Sequence, residues 1–184
     1  MGTLAATAAQ AATLTYNFVD SDTNTTGSFT INNQIADSNF DPFVGIYEGA
    51  ISSFTLTSGA FSRTVTQFIE NKITLNVATG FADLTGAGNT FGIPGGNFRF
   101  SINLFSDILP LSDRLVDFYP TSPLFSRKTV RNQVFFADGS VAVDQLREID
   151  EITAVPEPES SFALALIGVF GAFLVKRKIA WERA

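Results

Sequence analysis

The sequence predicts an all-β fold: an antiparallel two-sheet sandwich, jelly-roll-like in its connections, followed by a single C-terminal transmembrane helix. Three observations carry this expectation. Apolar and polar residues alternate with a period of two through most of the body, turn-forming Gly, Asn and Asp residues punctuate those runs, and a fourteen-residue stretch without a polar side chain stands near the end, between prolines and a basic cluster.

From the start, Leu4 to Ala12 is uncharged, small and mildly apolar, and Ala9-Gln10-Ala11 is an A-x-A cleavage signature. This resembles the back half of a secretory signal peptide. Met1 is followed directly by Gly2, with no basic lead-in, so the expectation is a start codon placed too far downstream and a mature N-terminus at Ala12. N-myristoylation is excluded because Ala6 stands where that motif needs Ser or Thr.

The body, residues 12–153, reads as about eight strands. Leu14, Tyr16 and Phe18 alternate with Thr15 and Asn17; Ile73, Leu75 and Val77 with Thr74 and Asn76; Phe98, Phe100, Ile102 and Leu104 with Arg99, Ser101 and Asn103. Such runs are half-buried strands. Others are expected at 27–31, 51–57, 61–69, 130–136 and 140–144, where β-branched Thr and Val suit a pleated surface. Asp138-Gly139 marks a hairpin of type I′. Ser58-Gly59-Ala60 and Glu70-Asn71-Lys72 are expected to divide three strands of a meander, and the glycines between Thr79 and Asn97 to form a loop. No helix longer than two turns is expected before Ser160.

Composition closes off much chemistry. With no Cys and no His among 184 residues, the chain has no disulfide, Cys/His zinc site or Ser-His or Cys-His catalytic pair. Residues 12–155 carry 15 acidic and 8 basic groups, a net −7, and the remainder after them is +1. An acidic body repels phosphate backbones, which disfavours nucleic acid as a partner. Asp20-Ser21-Asp22-Thr23-Asn24 begins like a calcium loop, but Thr25 and Ile31 stand where an EF-hand needs Gly and Glu, so a solvated hairpin turn is expected. No cofactor and no metal site are expected. Glu48 and Glu70 are candidate members of a glycosidase carboxylate pair. Phe135 and Phe136 are adjacent, which in a regular strand points them to opposite faces, so one becomes a candidate exposed aromatic for sugar binding.

The tail, residues 154–184, has three parts in order: Val155-Pro156-Glu157-Pro158 within an extended spacer, an apolar run over 162–175, and Lys176-Arg177-Lys178. The prolines prevent a helix from starting before Pro158. Fourteen helical residues span about 21 Å against a hydrocarbon layer of roughly 30 Å, so the helix is a short anchor whose depth the basic cluster fixes by snorkelling. Its apolar surface on every side argues against a core helix. Positive charge at its end places the upstream body outside the cytoplasm.

This arrangement resembles the PEP-CTERM sorting signal, with Gly168 and Gly171 in the second half of the helix, over roughly the last 25 residues. The resemblance implies an exported protein of a Gram-negative bacterium, held transiently in the inner membrane and processed by an exosortase, in a system linked to exopolysaccharide and biofilm matrix. It transfers no function to the body. The expectation for the body is a non-catalytic binding or structural module of the surface or matrix, associated with polysaccharide; the alternative is a secreted carbohydrate-active enzyme using paired carboxylates.

Two tail variants are expected to fail differently. Replacing Lys176, Arg177 and Lys178 with Ser weakens membrane retention, whereas replacing Pro156, Glu157 and Pro158 with Ala leaves insertion intact and blocks processing. Membrane fractionation with mass measurement separates the two, and normal processing of the triple-Ala protein would remove the main support for the sorting signal.

Overall fold

A computed structural model describes residues 13–59, 61–89, 96–107 and 112–156. Two antiparallel sheets face each other. One has five strands in the order β11-β1-β2-β4-β5, the other six in the order β10-β9-β8-β7-β6-β3. The first sheet comprises β1 (Thr13–Asp20), β2 (Thr25–Asn32), β4 (Ile51–Ser58), β5 (Phe61–Val65) and β11 (Glu151–Ala154). The second comprises β3 (Val44–Glu48), β6 (Phe68–Asn76), β7 (Phe81–Asn89), β8 (Asn97–Ser106), β9 (Phe125–Phe135) and β10 (Val141–Glu148). Among the described residues the helical structure is one 3-10 turn, Leu115–Asp117.

Alternation decides what each strand buries. Tyr16 and Phe18, Phe29 and Ile31, Phe54 and Leu56 point inward from the five-stranded sheet, and Ile73, Leu84, Phe98, Phe100, Ile102 and Val130 from the other, forming one core cluster. Phe54 and Phe100 meet across the two layers with ring centroids 3.8 Å apart and planes within 2°. Phe98 and Phe18 lie against the same Phe54, at 6.0 and 6.2 Å. Room for the Phe100 ring comes from its cross-strand partner Gly86. A Cβ there would sit 2.6 Å from Phe100 Cε1. One end of the core is closed by Leu115 and Phe118, held through Tyr47, whose hydroxyl donates to the Asp113 carbonyl and accepts the Leu115 N–H at 3.1 Å.

Several sequence expectations are corrected. The connectivity is not that of a jelly roll: β6 to β10 run as a consecutive antiparallel meander, with β3 added at its edge and β11 returning to pair with β1. Glycine-rich 79–97 contains β7, because Gly86 and Gly88 are sites of close ring and side-chain approach inside a sheet rather than flexible joints. Glu70-Asn71-Lys72 lies inside β6, and the strand expected over 61–69 is divided between β5 and β6, which belong to different sheets. Asn71 acts there as a corner post: its side-chain Oδ1 accepts the Ile51 N–H at 2.9 Å and its carbonyl accepts the Gly49 N–H at 2.9 Å, where the chain passes from β3 to β4. The 138–139 hairpin is a type I turn with a bulge rather than type I′. Phe136 O accepts the Gly139 N–H, Phe136 N–H donates to Ser140 O, and Gly139 alone in that loop has positive φ, +82°.

Stability is expected to follow this packing. Phe54→Ala should lower the unfolding free energy by about 3–5 kcal/mol, and Gly86→Val by about 1–3 kcal/mol through overpacking. Thr64→Val, on the outer surface, should stay within about 0.5 kcal/mol. Urea unfolding followed by near-ultraviolet circular dichroism reads all three, and a Gly86→Val protein as stable as wild type would contradict the ring-in-glycine account.

Candidate functional site

The outer face of the six-stranded sheet carries two cross-strand rows. One runs Glu48, Lys72, Thr85, Ser101, Arg131 and the other Glu70, Ala87, Arg99, Gln133. Short side chains on β7 and β8 form a floor, and long ones on β3, β6, β8 and β9 form walls. The result is an open groove of about 790 Å³ lined by both rows. Glu48 and Glu70, candidate carboxylates from sequence, are brought to this groove as diagonal neighbours about 7 Å apart at Cβ. Both are solvent-exposed. A glycosidase pair of the acid-and-base kind encloses one carboxyl group in apolar surroundings, and neither of these is enclosed.

Charge on the second wall is ordered by specific partners. Arg131 forms a bidentate pair with Asp144, Nε to Oδ1 at 2.8 Å and a terminal nitrogen to Oδ2 at 2.6 Å. Gln133 adds a third donor to Asp144 at 3.2 Å. The Arg131 hydrogen bond holds the Asp144 carboxyl below the usual carboxylate range. Arg99 lies over the Phe135 ring, 5.4 Å from its centroid, a cation–π contact. Neither Phe135 nor Phe136 lines the groove. Phe135 is half-buried on the outer face under Arg99, and Phe136 follows the end of β9 at 46% exposure in the hairpin loop.

Asp83 carries no sequence signal of its own, because glycine-rich 79–97 reads as a loop. It occupies the adjacent row, between Thr74 on β6 and Asn103 on β8, flanked in sequence by the core residues Ala82 and Leu84. Its Oδ1 is buried without a hydrogen-bond partner, and burial raises its pKa from 3.8 to about 6, against the opposing pull of Lys72. Once β7 is recognised, an Asp at the outward position of a central strand is the signal that finds it.

The Asp20 to Asn24 segment is the β1–β2 hairpin. Asp20 Oδ1 accepts the N–H groups of Asp22 at 3.1 Å and Thr23 at 3.2 Å, the Thr23 hydroxyl donates to Oδ2, and Asn24 turns at φ +51°. Those bonds, led by the Thr23 hydroxyl, hold the Asp20 carboxyl below its usual range. Among the described residues no group of three or more acidic side chains is placed to hold a metal ion.

At the other end of the body, β11 finishes at Ala154, paired with Tyr16, and Val155 and Pro156 follow it exposed. Glu157 and Pro158, the apolar run 162–175, Lys176, Arg177 and Lys178, and Ala9 and Ala11 lie outside the described residues. Among the described residues no helix is long and apolar enough to cross a membrane.

The two-sheet body ends its last described strand at Ala154. Residues 154–178 match the family model described as the PEP-CTERM protein-sorting motif, and the chain carries that motif. No curated protein and no solved structure matches the chain.

Asp83 sets an expected pH dependence. The folded protein holds its proton more tightly than the unfolded chain, so the contribution to stability is full below about pH 4 and is lost as pH rises through about 6. The loss is at most about 3 kcal/mol, less as far as water reaches the group. Asp83→Asn should stabilise the protein at pH 7.5 and flatten its unfolding free energy between pH 4 and 7; an unchanged slope would contradict the buried, unpaired carboxyl.

Proposed function

We propose that this is an exported protein of the bacterial surface or extracellular matrix, processed at its tail by an exosortase after transient retention in the inner membrane, with a non-catalytic body that associates with polysaccharide. The observation that carries the export reading is the sorting-motif match beginning at Ala154, the last residue of the last strand. Because the last described strand ends at the motif's first residue, cleavage beyond Ala154 takes no described strand from either sheet. The groove supports the polysaccharide reading: hydroxyls, amides, carboxylates and guanidinium groups line an open channel on a sheet face, which suits a ligand that is itself a dense array of hydroxyl donors and acceptors.

A second reading, a carbohydrate-active enzyme, is favoured by one observation, the arrival of Glu48 and Glu70 in the same groove. One experiment separates the two. The full chain in non-ionic detergent is titrated with soluble exopolysaccharide and assayed in parallel for new reducing ends. Binding without hydrolysis, weakened about tenfold by Arg99→Ala, is the expected outcome; hydrolysis abolished by Glu48→Gln or Glu70→Gln would replace the binding reading with the enzymatic one.

A further inference from the structure

The opposite outer face, that of the five-stranded sheet, differs chemically from the grooved one. Register places its outward residues in three cross-strand rows: Glu151, Val19, Thr26, Thr57, Ser62; then Thr153, Asn17, Ser28, Thr55, Thr64; then Thr15, Thr30, Ser53. Glu151, on the edge strand, is the single charged side chain in these rows. The other outer face carries Lys72, Arg99, Arg131 and several carboxylates, in a body of net charge −7.

Hydroxyls on this face are tied sideways to one another. Thr15 and Thr30 are 2.9 Å apart, Ser53 donates to the same Thr30 oxygen at 2.9 Å, and Thr55–Thr64 and Thr57–Ser62 pair at 3.2 Å. These bonds fix side chains that have little rotamer freedom to lose, so ordering them against a ligand costs little. Strand spacing sets a repeat of about 4.8 Å across the face and about 6.7 Å along it. A shallow depression of about 430 Å³ lies on it, lined by Asn17, Thr26, Ser28, Thr55, Thr57 and Thr153 among others.

We infer that this face is a second binding surface, whose occupant is an uncharged polysaccharide. The argument is charge matching. A neutral glycan brings hydroxyls to a surface of hydroxyls, and apart from Glu151 on the edge strand neither partner has an ion to strip of water, whereas an acidic glycan would find no cation on these rows and would meet that carboxylate. The inference rests on the polysaccharide reading of the body but assigns a different surface from the groove, so the module presents one ionic and one neutral face on opposite sides of the sandwich.

The test uses microcrystalline cellulose as the uncharged probe and alginate as the charged one, with the full chain in non-ionic detergent. Wild type should be retained on cellulose. Ser28→Lys combined with Thr55→Lys should reduce retention about tenfold. Thr26→Ala with Thr57→Ala, which places no charge on the sheet, should reduce it in the same direction, and near-ultraviolet circular dichroism verifies that each variant is folded. Equal retention of the folded lysine variant would overturn the assignment while leaving the groove as the ligand site. Binding to alginate but not cellulose would do the same, and binding to neither probe would count against both readings. Size-exclusion chromatography adds a last arm: if the lysine variant abolishes self-association of wild type, the face is an interface between copies and the glycan assignment is wrong.

Discussion

Everything in this sandwich is arranged around one stacked pair, Phe54 of β4 on Phe100 of β8. With no cysteine available, the two sheets are held together by side-chain packing, and aromatic rings supply the largest buried area per residue. The pair dictates what its neighbours can be. A ring lying flat across a sheet needs a neighbouring position with no Cβ, and Gly86 and Gly27 occupy such positions beside Phe100 and Phe18. The abundance of Phe and the glycines inside strands are therefore two aspects of one packing solution. Most ionic side chains stand on the outer faces, while Asp20 and Asn132 are buried.

Much of this was legible in the sequence wherever a strand buries one face and wets the other. β1, β2, β4 and β8 stand out because Tyr16, Phe18, Phe29, Phe54 and Phe98 alternate with Thr, Ser and Asn, and period two has no competing explanation. Elements that escaped did so for physical reasons. β7 offers glycine where a strand normally offers a β-branched side chain, and the ring that fills the gap comes from a strand many residues later. Asn71 has the appearance of a turn residue, yet its amide oxygen serves a backbone N–H of another sheet. Hairpin position at Gly139 was readable, but its turn type depended on one more residue entering the loop. Connectivity was the least readable feature, since local alternation does not say which of two sheets a strand joins.

The groove was half visible. Glu48 and Glu70 stand out in the sequence as carboxylates, but their convergence depends on β3 pairing with β6 across about twenty residues of intervening chain. Arg99, Arg131 and Asp83 carry no sequence pattern of their own and acquire meaning only from register. The sorting signal is the opposite case: its residues are consecutive, so its order, spacing and charge can be read without any fold. Information about destination is local in this chain, and information about ligands is distributed over the sheet.

The placement of β11 also has a mechanical side. It is four residues long, lies at the edge of its sheet, is anchored in the core through Ile152, and passes directly into the tail. The covalent path from the tail into the body therefore runs through the four pairs Tyr16–Ala154, Asn17–Thr153, Phe18–Ile152 and Val19–Glu151. None of these pairs involves β4 or β8, the strands that carry the Phe54–Phe100 stack.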